Sequence, residues 1–190
     1  TTTADATGQG NTGPLTPTPP AGGPTWTNGK FGKGLSFDGS TNYVDAGDSS
    51  IVDFGSGDYA FSAWIYPRST TAGQIVAKDG TAGSERQFVG MSLASGNLST
   101  VLFYNSVPSY TWYNTTDAPI SANIWQHVVV QRNGNTYQAY VNGAARTMTL
   151  NVASTADLPQ TMQATGTNLT MGRRINSGSP EYFNGLIDEV

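Results

Sequence analysis

Cysteine is absent from the 190 residues. Disulfides and thiolate zinc sites are therefore excluded. Histidine occurs once, at His127, so a catalytic zinc site would lack its usual ligands. Lysine and arginine together number nine, scattered along the chain, and the formal net charge is −4. A nucleic-acid surface needs clustered positive charge to neutralise phosphates, so the reading is no nucleic acid partner. No apolar run approaches the roughly 18 residues of a membrane-spanning helix, which argues for no membrane insertion. Charged residues make up only 12%, too few for self-repulsion to hold the chain open. No apolar pattern with a 3.6-residue period survives the glycine, threonine and proline content, which removes amphipathic helices.

What remains is a β-rich vocabulary. Residues 1–28 are rich in Thr, Gly and Pro, and Gly13 to Pro20 reads as an extended covering segment, because proline cannot donate to a ladder. Trp26 is its expected apolar anchor. Beyond it, short apolar runs alternate with turn residues. Phe37 to Asp45 reads as strand, turn, strand. In Phe61-Ser62-Ala63-Trp64-Ile65-Tyr66 the period of two puts Phe61, Ala63 and Ile65 on one face and Ser62, Trp64 and Tyr66 on the other. Residues 74–77, 87–93 and 98–104 are further strand candidates. Asn133-Gly134 between two β-rich runs predicts a hairpin with both residues at positive φ, and Asn142-Gly143 marks the next turn. Residues 168–172 and 185–190 give the last two strands. Many short strands with frequent turns indicate an all-β sandwich or barrel.

Five segments carry a family resemblance. Gly29 to Gly39 is similar to an opening strand ending in Phe37-Asp38-Gly39. Phe61-Ser62-Ala63-Trp64-Ile65 resembles a "SAWV" strand, and Trp125-Gln126-His127-Val128 a "W-x-H-V" strand. Tyr140-Val141-Asn142-Gly143 resembles a "YVNG" hairpin end. Phe183 to Val190 resembles a closing "F-x-G-x-I-D-E-V" strand. In this order the five resemble the laminin G-like domains of the concanavalin A-like lectin/glucanase superfamily. The resemblance implies a two-sheet antiparallel jelly-roll sandwich over residues 29–190, with residues 1–28 as its lead-in. The family pattern continues beyond "IDEV", so a neighbouring domain or subunit is expected to complete the last strand and to be a partner at the chain ends.

The fold hosts lectins, enzymes and spacers alike, so function has to be argued from sites. Glycoside cleavage needs two carboxylates flanking the bond. The three glutamates, Glu85, Glu181 and Glu189, show no such spacing, and no strand alternates carboxylates. A nucleophile triad would have to use His127, which reads as a structural residue of its strand. The chain is thus expected not to be an enzyme. The resemblance also implies a structural Ca2+ joining first and last strands, with Asp38 and Asp188 as matching positions and Gly39 and Asn42 as further oxygen donors. The alternative for Asp38 is an Asx turn, accepting hydrogen bonds from the backbone after it.

Sugar recognition combines an aromatic platform with planar hydrogen-bonding groups. Tyr104 and the run Tyr110 to Asn114 are the richest source, and Trp112, Tyr113, Tyr104, Arg86 and Asn114 are the candidate ligand-binding residues. In a strand, Trp112 and Asn114 share one face and Tyr113 the other, so one set belongs to the core. Trp64 reads either as a sheet-face platform or as inter-sheet core, the latter favoured, and Trp125 and Tyr140 as packing residues. These residues support a non-catalytic carbohydrate-binding or adhesion module of an extracellular or surface protein, with a glycan or polysaccharide as partner. The competing reading is a structural or assembly module without a glycan ligand; a glycan-cleaving enzyme comes last.

Overall fold

A computed structural model of the chain describes residues 2–3, 12–16, 22–48, 52–55, 57–79, 85–105, 110–153, 168–174 and 181–190. Those residues form strands and turns, with no α-helix among them. The chain opens with β1 (Thr2–Thr3), β2 (Gly13–Thr16), β3 (Thr25–Asn28), β4 (Lys33–Asp38) and β5 (Tyr43–Asp45). Next come β6 (Tyr59–Pro67), β7 (Ala72–Asp79), β8 (Glu85–Ala94), β9 (Asn97–Asn105) and β10 (Tyr110–Thr115). β11 (Gln126–Asn133), β12 (Thr136–Val141), β13 (Ala144–Arg146) and β14 (Met148–Ala153) follow. β15 (Leu169–Met171), β16 (Arg173–Arg174), β17 (Glu181–Tyr182) and β18 (Asn184–Asp188) close it.

Two large sheets result. One has nine strands in the order β1-β2-β5-β15-β7-β8-β9-β10-β14, the other seven in the order β13-β12-β11-β6-β18-β4-β3, and β16 pairs with β17. Each pairing is antiparallel. The long-range crossings, β18 between β6 and β4 above all, make the architecture the expected jelly-roll sandwich rather than a meander.

The period of two decides the layers. Along β6 the buried residues are Tyr59, Phe61, Ala63, Ile65 and Pro67, as the alternation predicts. Across the gap, Val44, Val76, Val89, Met91 and Leu98 come from the nine-stranded sheet and join them in one core. Phe37 and Phe183, 1% and 0% exposed, meet edge to face with centroids 6.4 Å apart. Glycine seats both rings. At Gly172 (φ +81°) a side chain would run into the Phe37 ring, and at Gly73 a Cβ would stand 3.3 Å from Phe183.

Several expectations are corrected. β2 includes Pro14 and lies within the nine-stranded sheet, where only the two-residue β1 lies outside it; a proline is tolerated near such an edge. The buried anchor of the lead-in is Leu15, at 1% exposed, whereas Trp26 sits on edge strand β3 at 46%. The β11–β12 turn is formed by Gly134-Asn135, because Asn133 already pairs with Thr136; Gly134 has φ +57° and Asn133 is not at positive φ. At the next turn both Asn142 and Gly143 have positive φ, as that type of hairpin requires.

Candidate functional site: the outward face of the nine-stranded sheet

The register separates Trp112 from Tyr113. Trp112 pairs with Val101, which pairs with Gly90, which pairs with Ala77, so these share the outward face of the sheet. Trp112 packs on Val101 and Ala77 there and is half-buried. Tyr113 points the other way, into the sandwich, and stacks on Tyr137 with centroids 4.2 Å and planes 19° apart. Burial pushes its phenol up from the ordinary tyrosine value. Tyr113 is therefore a packing residue and is removed from the candidate ligand set. The reason is the alternation itself: one face of β10 must close the core.

Asn114 shares the face of Trp112. In the next row outward, Gln74 pairs with Ser92, Ser92 with Ser99, and Ser99 with Asn114. Four polar atoms along this face are buried without a hydrogen-bond partner: Trp112 Nε1, Asn114 Oδ1, Ser99 Oγ and Gln74 Oε1. Buried polar atoms are nearly always paired, so four unpaired ones at neighbouring positions stand out; Gln74 and Ser99 are 0% exposed and lie under cover, while Trp112 is half-buried. The side chains of Arg86 and Tyr104 lie outside the described residues; their backbones belong to β8 and β9 of this sheet.

Toward β5 the same face carries a group that the sequence did not single out. Tyr43 lies on the opposite side of β5 from buried Val44. The Arg173 guanidinium sits 4.4 Å from the Tyr43 ring centroid and 5.9 Å from that of Tyr182. The available signal was the Arg173-Arg174 pair flanked by Gly172, but nothing in it foretold two tyrosine rings from distant strands.

Trp64 corrects another expectation. It is not inter-sheet core: it pairs with His127 and Asp188 on the outward face of the seven-stranded sheet. Phe31 meets it edge to face at 5.6 Å, His127 packs against it at 5.3 Å, and Lys30 Nζ lies 4.7 Å from its ring centroid. Its π surface is thus occupied from within the chain.

The four residues proposed for calcium do not converge. Asp38 pairs with Asn184 in the β4–β18 ladder, while Asp188 lies four positions further along β18, beside Trp64. Asp38 instead forms the Asx turn: Oδ1 accepts the N–H groups of Ser40, Thr41 and Asn42 at 2.9–3.1 Å, and Oδ2 accepts the Thr41 hydroxyl at 2.7 Å. Gly39 takes φ +79° in that turn and abuts Asn184. Asp188, 6% exposed, accepts the Phe31 N–H at 2.9 Å and the Glu189 N–H at 3.0 Å. A side chain at Gly29 would collide with this carboxylate, so Asp188 clamps the β3–β4 turn. No group of three His, Cys, Asp or Glu suited to a metal occurs among the described residues.

Desolvation raises the Asp38 carboxyl, but the bonds from Thr41, Ser40 and Asn42 prevail and hold it well below the usual carboxylate range. A carboxyl with a lowered folded value stabilises the fold above its unfolded value, near pH 3.9, and loses that contribution as pH falls toward the folded one. Thermal melts of wild type and Asp38→Asn are therefore expected to differ most near neutrality and to converge in acid. A gap independent of pH would show that the turn does not depend on the charge.

Several other carboxylates are also engaged locally. Asp48 and Asp53 hold Lys78, Asp58 accepts the Gly134 N–H, Asp117 pairs with Arg146 and Glu181 with Arg174. Asp48 and Asp53, which approach each other most closely, share the buried Lys78 ammonium between them.

A family model for the concanavalin A-like lectin/glucanases superfamily, of laminin G type, matches residues 38–190. The chain belongs to that superfamily. Solved structures share this concanavalin A-like fold at low identity. Domain 4 of an extracellular GH43 arabinanase from Geobacillus stearothermophilus, in complex with arabinotriose, is 22% identical with a TM-score of 0.58, over 87% of this chain and 72% of that one. The CBM40 module of a Ruminococcus gnavus sialidase, bound to α2,3-sialyllactose, is 14% identical with a TM-score of 0.59, over 81% and 85%. Domains LG4-5 of the mouse laminin α1 chain are 13% identical with a TM-score of 0.52, over 81% and 39%. Among the described residues no helix is long and apolar enough to cross a membrane.

Proposed function

We propose that this domain is a non-catalytic carbohydrate-binding module of an extracellular or surface protein. Its ligand lies on the outward face of the nine-stranded sheet, across β9 and β10. The observation that carries this reading is the row of unpaired polar atoms beside Trp112. A sugar ring offers C–H groups to an aromatic side chain and hydroxyls that donate and accept, which matches an indole beside an amide and a serine hydroxyl. Tyr43, Arg173 and Tyr182 extend the same face toward β5. Five strand spacings separate β10 from β5, about 24 Å at about 4.8 Å each, which suits an extended oligosaccharide. The fold shared with structures holding arabinotriose and sialyllactose is consistent with this use of the scaffold. On the other face Trp64 is covered by Phe31, His127 and Lys30, which makes its ring the poorer platform.

The test is a glycan and polysaccharide panel, with calorimetry on each hit, in calcium and in chelator. Trp112→Ala is expected to weaken a hit at least tenfold, about 1.4 kcal/mol, with the melting temperature little changed. Affinity and melting are expected to be alike in calcium and chelator, because Asp38 and Asp188 are satisfied separately. A hit that survives Trp112→Ala and Asn114→Ala unchanged would move the site off this face; no hit at all would favour a structural module.

A further inference from the structure

Arg132 breaks the pattern of its own strand. The inward positions of β11 are Gln126, Val128, Val130 and Arg132. Gln126 spends its amide on Pro119 O and the Ser121 N–H, and the valines are apolar core. Arg132 is 2% exposed and leads the fully buried side chains in volume. Its Nε donates to Gly134 O at 2.8 Å, while Nη1 and Nη2 are buried with no hydrogen-bond partner. A guanidinium does not give up its proton, so the charge stays, and an isolated buried charge is strongly unfavourable.

The surroundings narrow what can answer it. The ladder sets Tyr59 on one side of Arg132 and Tyr137 on the other. Both reach across to the nine-stranded sheet: Tyr59 OH lies 3.2 Å from Thr100 Oγ1, and Tyr137 stacks on Tyr113. Phe54 and Phe61 close in behind Tyr59. Asp58, the acid next to Tyr59, uses Oδ1 on the Gly134 N–H at 2.6 Å. The ion pairs among the described residues involve Lys78, Arg146 and Arg174, not Arg132. The end of the sandwich thus holds a guanidinium fork between aromatic walls with its two terminal nitrogens unspent.

We propose that Arg132 forms a buried oxyanion site, taking a small planar anion of the carboxylate class on Nη1 and Nη2. Two parallel N–H donors match the two oxygens of such a group, and the pairing neutralises the buried charge. The site lies between the sheets, on the inward face of β11, and is independent of the glycan face around Trp112. Nη1 and Nη2 are fully buried, so an ion reaches them only as the side chains around them give way, which favours the smallest anions.

Thermal melting of the whole chain tests it, in sodium chloride against sodium acetate, formate and nitrate at matched ionic strength. At tenfold over the dissociation constant a bound anion is expected to raise the melting temperature by roughly 3–6 °C, saturating with dose. Arg132→Met, which keeps much of the bulk and removes the charge, is expected to melt cooperatively and show no such rise. Should that variant fail to fold, Arg132→Lys retains the charge without the fork and is expected to weaken the response at least tenfold. Identical melting of wild type in all four salts would overturn the proposal. So would an equal rise in wild type and both variants, or a crystal grown in acetate with water alone on the two nitrogens.

Discussion

Phe183→Ala is expected to lower the stability of the domain by about 3–5 kcal/mol, the range for truncating a fully buried aromatic ring. Phe183 is 0% exposed and lies where the chain passes from β17 to β18, with its edge toward Phe37 and its N–H on Gly172 O. The loss has two parts: the apolar surface no longer buried, and the cavity left where surrounding strands do not close in. The neighbours that would have to collapse are backbone at Gly73 and Gly185, which have no side chains to fill the space. At about 2–4 °C per kcal/mol for a chain of this size, the melting temperature is expected to fall by roughly 6–20 °C. Urea denaturation with an unchanged slope would confirm that the native state is weakened rather than the unfolded ensemble altered. A loss under about 1 kcal/mol would mean that the ring does not fill the gap between the sheets.

Gly172→Ala is expected to cost about 2–4 kcal/mol for a different reason. Backbone strain contributes about 1 kcal/mol or more, since φ there is +81° and an L side chain rarely adopts it. The rest comes from overpacking, because the added methyl would overlap the Phe37 ring. The two causes separate in a double-mutant cycle. In a Phe37→Leu background the steric part is relieved and the strain part is not, so the alanine should cost at least about 1 kcal/mol less than in wild type. Strict additivity would assign the whole effect to the backbone.

The layering of β6 was legible because Phe61, Ala63 and Ile65 alternate with polar and amphipathic residues. The same alternation placed Trp112 and Asn114 together and opposite Tyr113. It did not say which set was core, since all three are large or polar enough to go either way; the stack on Tyr137 decides it. Trp64 took the less favoured of its two readings for a related reason. Tryptophan at an outward position looks like core unless its cover is visible, and Lys30 and Phe31 come from a turn more than thirty positions earlier. The calcium expectation failed to converge because sequence motifs carry order but not register, and register sets Asp38 and Asp188 at different heights of one ladder. The tyrosines around Arg173 and the unpaired nitrogens of Arg132 were out of reach altogether. Each depends on strands that meet only through the jelly-roll crossings.

The placing of β18 between β4 and β6 bears on how the molecule is made. Residues 33–38 and 59–67 leave the ribosome early, yet the strand that bridges them is residues 184–188. Until residues 184–188 are made these two strands have no neighbour on their facing edges, and bare edges recruit other chains. The seven-stranded sheet therefore closes only once residues 184–188 have emerged, with a contact spanning 157 positions between Phe31 and Asp188. Such a fold is slow to form and depends on being kept apart from its own copies until the bridging strand arrives.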